Sequence, residues 1–278
     1  MNTETSKSRS VEAPNLEADD TDLDRRWSLI RAALTISRPL GAVSAIFAFS
    51  ALAGYFGSIE TLYRPIAGGP ATNPLTATTF LLLGSGVALG RGRYSVWLQR
   101  ILGFSGLVLT ASVLLDASIG TDISTNFTLF QDRVLQDLAD GKSNNMGINS
   151  AIFLLLAALA LTLNSLHRVN IAQVAAFLAG GIPMISLAGY AYGFEHFYGQ
   201  MSLVTATAGV ALSVATLSMT AHHGALKAVL SPYIGGSIAR VQVFLGIIVP
   251  FIVGFLIIKT LVSSGEGDFL GIYVVAIS

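Results

Sequence analysis

Apolar residues gather into seven stretches with polar breaks between them, at roughly 40–58, 75–90, 98–118, 149–166, 171–194, 203–221 and 241–261. Each is close to the ~20 residues that a bilayer core demands of an α-helix. The pattern therefore predicts an all-α protein, a polytopic membrane helix bundle. An eighth apolar run opens at Phe269 and reaches ten residues at Ser278. That is about half a span, as expected if the chain is cut from a longer one and this truncated helix is completed beyond it. Ahead of the first span, Leu23, Trp27, Ile30 and Leu34 recur at helical spacing with Arg25, Arg26 and Arg31 between them. Residues 22–39 thus read as an amphipathic juxtamembrane helix on an anionic leaflet, or equally as the solvated start of the first span. Residues 1–21 are polar and aperiodic and are predicted to be a disordered cytoplasmic tail, so the membrane bundle itself is assigned to 40–278.

Three of the apolar runs open alike. Pro74-Leu-Thr-Ala-Thr-Thr-Phe-Leu-Leu-Leu-Gly84, Met146-Gly-Ile-Asn-Ser-Ala-Ile-Phe-Leu-Leu-Leu-Ala157 and Met201-Ser-Leu-Val-Thr-Ala-Thr-Ala-Gly209 share a hydroxyl–Ala pair at 76–77, 150–151 and 205–206. A hydroxyl there, or Asn73 and Asn149 beside it, could accept from the unpaired N–H groups of a first helical turn. Three openings of one kind predict a bundle built from repeated helix-hairpin units.

Composition narrows the class. The 278 residues are 53% hydrophobic and 12% charged, with a mean hydropathy of +0.66, too apolar for a soluble domain. There is no Cys, which excludes disulfides, thiolate metal sites and Cys nucleophiles. The opening residues lack the short apolar core of a cleavable signal. Zero net charge conceals an asymmetry. With the N-terminus inside, cytoplasmic segments hold Lys7, Arg9, Arg25, Arg26, Arg31, Arg38, Arg91, Arg93, Arg100, Arg168, Lys227 and Arg240, and outer segments only Arg64, Arg133, Lys142 and Lys259. Twelve against four fixes the expected orientation, with the N-terminus cytoplasmic.

Two outer segments are more than turns. Residues 120–147 carry Phe127, Phe130, Val134, Leu135 and Leu138 among Asp132, Arg133, Asp137 and Asp140, and read as an amphipathic helix on the membrane face or capping the bundle. Residues 189–202 are dense in aromatics. No catalytic motif is present: no nucleophile elbow, no phosphate loop, no His pair beside an acid. His167, His222 and His223 fall at inner helix ends and read as polar punctuation rather than ligands, so neither metal nor cofactor is expected. The glycines at 84, 86, 103, 106, 180, 181 and 209 suit close helix packing. Asp116, Tyr190, Tyr192, Glu195 and His196 lie at the outer ends of the third and fifth spans, equivalent by spacing from Thr76 to Gly120 and from Ser150 to Gly193. They form the candidate ligand or signal pocket, against the plainer reading that they all face headgroups.

The order of these motifs resembles the multi-pass N-terminal sensory region of bacterial sensor histidine kinases and GGDEF-type cyclic-di-GMP receptors. That region repeats Met-x-Pro-Asn-Thr-Ala-x-x-Phe-Leu-Leu-Leu-Gly. The first opening here keeps Pro74, Thr76, Ala77, Phe80 and Gly84; the second keeps Met146, Asn149 and Ala151; the third keeps Met201, Thr205 and Ala206. Leu114-Leu-Asp-Ala-Ser-Ile-Gly120, Ala188-Gly-Tyr-Ala-Tyr-Gly193 and Ile234-Gly-Gly-Ser-Ile-Ala-Arg240 with Pro250 match the family's intervening motifs. The second opening departs from it, with Ile148 in place of proline, and the first lacks Met. The resemblance spans about 40–278. It implies a sensor module that relays an unknown small ligand or physical stimulus to a cytoplasmic output domain, as a homodimer in the lipid bilayer, without nucleic acid. It carries over no catalytic residue. A small-solute transporter and an accessory subunit of a membrane complex are the rival expectations.

Overall fold

The computed structural model describes residues 27–90 and 92–264, and among these the protein is entirely helical. The tail at 1–21 and the run after Phe269 lie outside the described residues. Long helices alternate with shorter ones: α1 Ser28–Gly57, α2 Glu60–Tyr63, α3 Pro74–Ala88, α4 Arg93–Ile119, α5 Gln131–Ala139, α6 Ile148–Ser165, α7 Val169–Tyr192, α8 Glu195–Tyr198, α9 Leu203–Ser218, α10 Gly224–Val229 and α11 Ile234–Ser264. A 3₁₀ turn at Ser124–Phe127 precedes α5.

Five helices (α1, α4, α6, α7 and α11) are long and apolar enough to cross a membrane. The other two expected spans are present as helices but are short: 15 residues in α3 and 16 in α9, about 22–24 Å at 1.5 Å per residue. Backbone turns end them early. Gly90 has φ +73° just after α3, and α9 runs out in the turns at 219–223. Residues 28–39 are not a separate helix; they continue without a break into the first span despite Pro39.

The packing follows from which faces are apolar and small. α3, α6 and α9 share the core: Phe80 lies 5.6 Å ring to ring from Phe153, and Leu83, Leu154, Leu161 and Leu212 pack around them, all buried. Leu75 clusters with Ala151 at one end, and Gly86 abuts Leu161 further along, so α3 and α6 run in the same direction. Thr72, just before α3, bonds Ser202, just before α9, which gives α9 that direction too. α1, α4 and α7 run against them. Gly41 meets Gly84 and Val87 while Tyr55 reaches Thr72; Gly103 meets Thr162; Gly209 meets Pro183 while Tyr190 reaches Met201. Contacts close the six into a ring in the order α1, α3, α4, α6, α7, α9 and back to α1. Of the glycines expected at interfaces, those at 84, 86, 103, 106 and 209 lie in tight contact, Gly180 loosely against Ser213, and Gly181 against open space. Outward faces of α1, α4 and α7 expose Ile46, Phe49, Phe104 and Phe177, the surface that hydrocarbon would cover.

α11 differs from the rest. It is the most apolar of the five long helices and the least buried, and it touches the ring mainly through α7. Apolar on every side and packed on almost none, it is a helix that water would not tolerate.

Candidate functional site

All three core helices begin at the same end of the bundle, and that end is closed by polar contacts. Each start falls three residues before its hydroxyl: Asn73 before Thr76, Gly147 before Ser150, Ser202 before Thr205. The capping groups are therefore Asn73, whose Oδ1 accepts from Leu75 N at 2.8 Å, and Ser202, whose Oγ accepts from Thr205 N at 3.1 Å. Thr76 and Thr205 sit one turn inside, and Asn149 is exposed. Thr72, Ser202 and Thr205 join their hydroxyls in a buried triangle with edges of 2.6, 2.9 and 3.3 Å.

Residues 120–147 cap this end, one of the two placements that the amphipathic pattern allowed. The 3₁₀ turn folds back on α4 because Asp116 holds it: one carboxylate oxygen accepts from Thr121 Oγ1 at 2.6 Å and Ile123 N at 2.8 Å, and the other accepts from Ser124 N at 2.7 Å. α5 then turns Val134 inward and leaves Asp132, Arg133 and Gln136 exposed. Its anchor is Asp137, which accepts from Arg64 Nη2 at 2.8 Å and from Asn144 Nδ2 at 2.7 Å. The Arg64 side chain is 1% exposed. It also donates to Glu60 at 2.9 Å and to the carbonyls of Gly69 and Ser143. A charge this deep is tolerated only when its hydrogen bonds are met, and they are. The network continues through Asn144, which accepts from Tyr55 at 2.9 Å and, on its carbonyl, from Asn73 at 2.7 Å. At the rim, Lys142 bonds Glu60 at 3.1 Å and holds its carboxyl below the ordinary value, with Arg64 adding to the effect; Glu60 in turn raises Lys142. Burial raises the Tyr63 hydroxyl.

Beneath the cap lies a cavity of about 370 Å³. Leu75, Val113, Val134 and Leu138 give it apolar walls, and Asp116, Thr128 and Asn145 bring polar atoms to it. Its lining mixes apolar walls with polar groups from Asn73, Asp116, Thr128 and Asn145, a combination that can seat a small ligand.

Of the five residues proposed from sequence, Asp116 alone lines this cavity. Tyr190 stacks on Tyr198 at 4.0 Å and donates to Met201 O at 2.8 Å. Tyr192 donates to Phe251 O at 2.6 Å and packs against Phe251 and Phe255, tying α11 to α7. Glu195 opens α8, and the exposed His196 has its ring 5.3 Å from Phe194. No hydrogen bond or ring contact between described residues joins Asp116 to the other four. The chain matches no family, no curated protein and no solved structure.

The sequence carries a second repeat at this end. Gly54-Tyr55 and Glu60 to Tyr63 correspond to Gly189-Tyr190 and Glu195 to Tyr198. Both stretches fold alike: Tyr55 stacks on Tyr63 at 3.9 Å, as Tyr190 does on Tyr198. Ile59 N and Phe194 N bond Gly54 O and Gly189 O at 2.8 and 2.9 Å. Both glycines lie under the following turn, where a Cβ would come within 2.8 Å of Leu62 or 2.6 Å of Phe197. The links of Arg64 to Asp137 and of Asn144 to Tyr55 and Asn73 had no comparable signal, since those partners are distant in sequence.

Proposed function

We propose that this chain is the membrane-embedded input module of a bacterial signal-transduction receptor, of the kind that feeds a histidine kinase. In this reading the bundle is three repeated helical hairpins, α1–α3, α4–α6 and α7–α9. With α11 they make seven crossings of the inner membrane, with the N-terminus cytoplasmic. The short α3 and α9 cross where flanking loops such as 64–73 and 199–202 enter the headgroup layer. The observation that carries the reading is the 370 Å³ cavity under the α5 cap, walled on one side by a segment that is itself held by a buried ion pair. A small ligand seated between Val113 and Val134 would shift α5 relative to α4. Asp116, bonded to the turn at both carboxylate oxygens, would pass that shift to the end of α4. α11, joined to the ring through Tyr192 and otherwise unburied, is suited to carry it onward and to meet lipid and a second copy in a homodimer. The core between α3, α6 and α9 is filled by Phe80, Phe153, Leu154 and Leu212, which argues against a solute path through it.

The test fills the cavity. In a full-length receptor, or in this chain continued after Ser278 through an eighth membrane crossing to a cytoplasmic histidine-kinase core, Val134→Trp should lock autophosphorylation high or low while abundance in the membrane stays normal. Output that still responds like the parent's would sink the sensing role of the cavity. Solute uptake by proteoliposomes holding the chain alone would favour the transporter instead.

A further inference from the structure

We propose that the cleft between α1, α3 and α9, at the end opposite the α5 cap, binds a phosphoryl group on the Arg38 guanidinium, presented by a membrane phospholipid. The proposal does not depend on the sensing role of the cavity. The cleft has a volume of about 310 Å³, with Leu34, Val87 and Met219 as apolar walls, Thr35, Ser37 and Arg38 as its polar side chains, and Gly90 as its floor.

Four observations converge on Arg38. First, its guanidinium is laid over Gly90, a residue with φ +73°, where an added Cβ would fall 2.2–2.4 Å from Nε, Cζ and Nη2. The turn under it is fixed by the buried Gln99, which donates to Gly90 O at 2.8 Å. Second, the fork is unused. Arg38 makes no hydrogen bond or ion pair with a described residue, whereas Arg100 bonds Ser165 O and Arg240 bonds Val229 O and Ser231 O. Third, the hydroxyls beside it are already committed as donors: Ser37 to Leu34 O at 2.8 Å and Thr35 to Arg31 O at 2.9 Å. A ligand here must bring acceptors, and a planar fork of N–H donors selects a group that offers two oxygens side by side. Fourth, Arg38 is the last charge before the uncharged stretch 39–57. Those residues extend about 28 Å as helix, close to the ~30 Å hydrocarbon core. The guanidinium therefore stands at headgroup height, where the oxygen pair on offer is a phosphodiester and the apolar walls can take the glycerol and the start of the acyl chains.

The experiment uses the full chain, purified in detergent and stripped of lipid. Three probes are added separately: phosphatidylglycerol, diacylglycerol with the same tails, and inorganic phosphate. Bound lipid is counted by native mass spectrometry and stability followed by thermal unfolding. Phosphatidylglycerol should be retained and should stabilise the parent; diacylglycerol should not. Arg38→Lys keeps the charge but loses the fork, and should weaken retention roughly ten-fold or more, the scale of losing charge-assisted hydrogen bonds. Gly90→Ala should do the same with Arg38 still present, by pushing the guanidinium out of the cleft. If Gly90→Ala does not fold, the lysine variant carries the test alone. Equal retention of phosphatidylglycerol and diacylglycerol, or parent-like retention by Arg38→Lys, overturns the site. Stabilisation by inorganic phosphate alone, dependent on Arg38, overturns the lipid as its source.

Discussion

Arg64, just after α2, and Asp137, on α5, meet at 2.8 Å with the Arg64 side chain 1% exposed. This pair, with the Asn144 bonds beside it, holds the α5 cap on the bundle. Removing Asp137 leaves the buried guanidinium with Glu60 as its one carboxylate, so the cost should stay below the about 3–5 kcal/mol typical of a fully stranded buried charge. Asp137→Ala should therefore release the cap, and proteolysis within 120–147 should accelerate while the helices stay protected. A combined Arg64→Met and Asp137→Leu variant should recover much of the loss, because neither charge is then stranded. A double variant as labile as Asp137→Ala would show that the pair is not what holds the cap.

The rim of this network titrates. Glu60 is held below its ordinary 4.5 by Lys142 and Arg64, so its contribution is present above about pH 4.5 and is lost as pH falls through the lower folded value. Lys142 is raised above 10.5 by Glu60, so its contribution is full below that pH and fades above it. Cap stability should be flat from about pH 5 to 10 and should decline in acid. The effect is small because Glu60 is 44% exposed. Glu60→Gln should remove the acid-sensitive part of the cap's proteolysis profile; an unchanged profile would assign it to another carboxylate.

The seven apolar helices were legible from hydropathy alone, and so was the register of the three openings, since 76, 150 and 205 all fall at the third helical position. Of the capping atoms, Asn73 Oδ1 was among those the sequence offered and Ser202 Oγ was not. An alignment built on the hydroxyls points one turn too far in, and the side chain that meets the free N–H groups stands three residues earlier. Helix ends were misjudged where apolar sequence continues past a backbone turn, as at Leu89-Gly90. The polar cap was the least legible part. Arg64 reads as one stray outer cation, and nothing local says which of the acids in 120–147 it will meet. Asp116 was singled out because an acid at a span end is costly, yet its oxygens accept from its own following turn.

Orientation can be tested with introduced cysteines against a background that has none. Asp140 and Asn170 are exposed at opposite ends of the bundle. Treated in intact cells with an impermeant thiol reagent, Asp140→Cys should label and Asn170→Cys should label only after lysis. The reverse would invert the proposed topology.

If α1–α3 and α7–α9 are copies of one hairpin, equivalent insults should have equivalent effects. Gly54 and Gly189 provide the comparison, because each lies under the turn that follows its helix with no room for a methyl. A Cβ at Gly54 would fall 2.8 Å from Leu62 Cβ and 2.9 Å from Ile59 O, and at Gly189 2.6 Å from Phe197 Cβ. In each case the clash would force apart the turn that brings Tyr63 onto Tyr55 or Tyr198 onto Tyr190. Overpacking of this kind commonly costs about 1–3 kcal/mol. Gly54→Ala and Gly189→Ala should lower the midpoint of unfolding in detergent by similar amounts, whereas Gly181→Ala, beside open space, should leave it unchanged. The first pair should diverge in one respect. Tyr55 also holds Asn144 of the cap at 2.9 Å, while Tyr190 bonds only its own connecting loop at Met201. Gly54→Ala should therefore loosen the 120–147 segment to protease and Gly189→Ala should not. Equal protease sensitivity in both would mean that the cap is not coupled to the first hairpin through Tyr55.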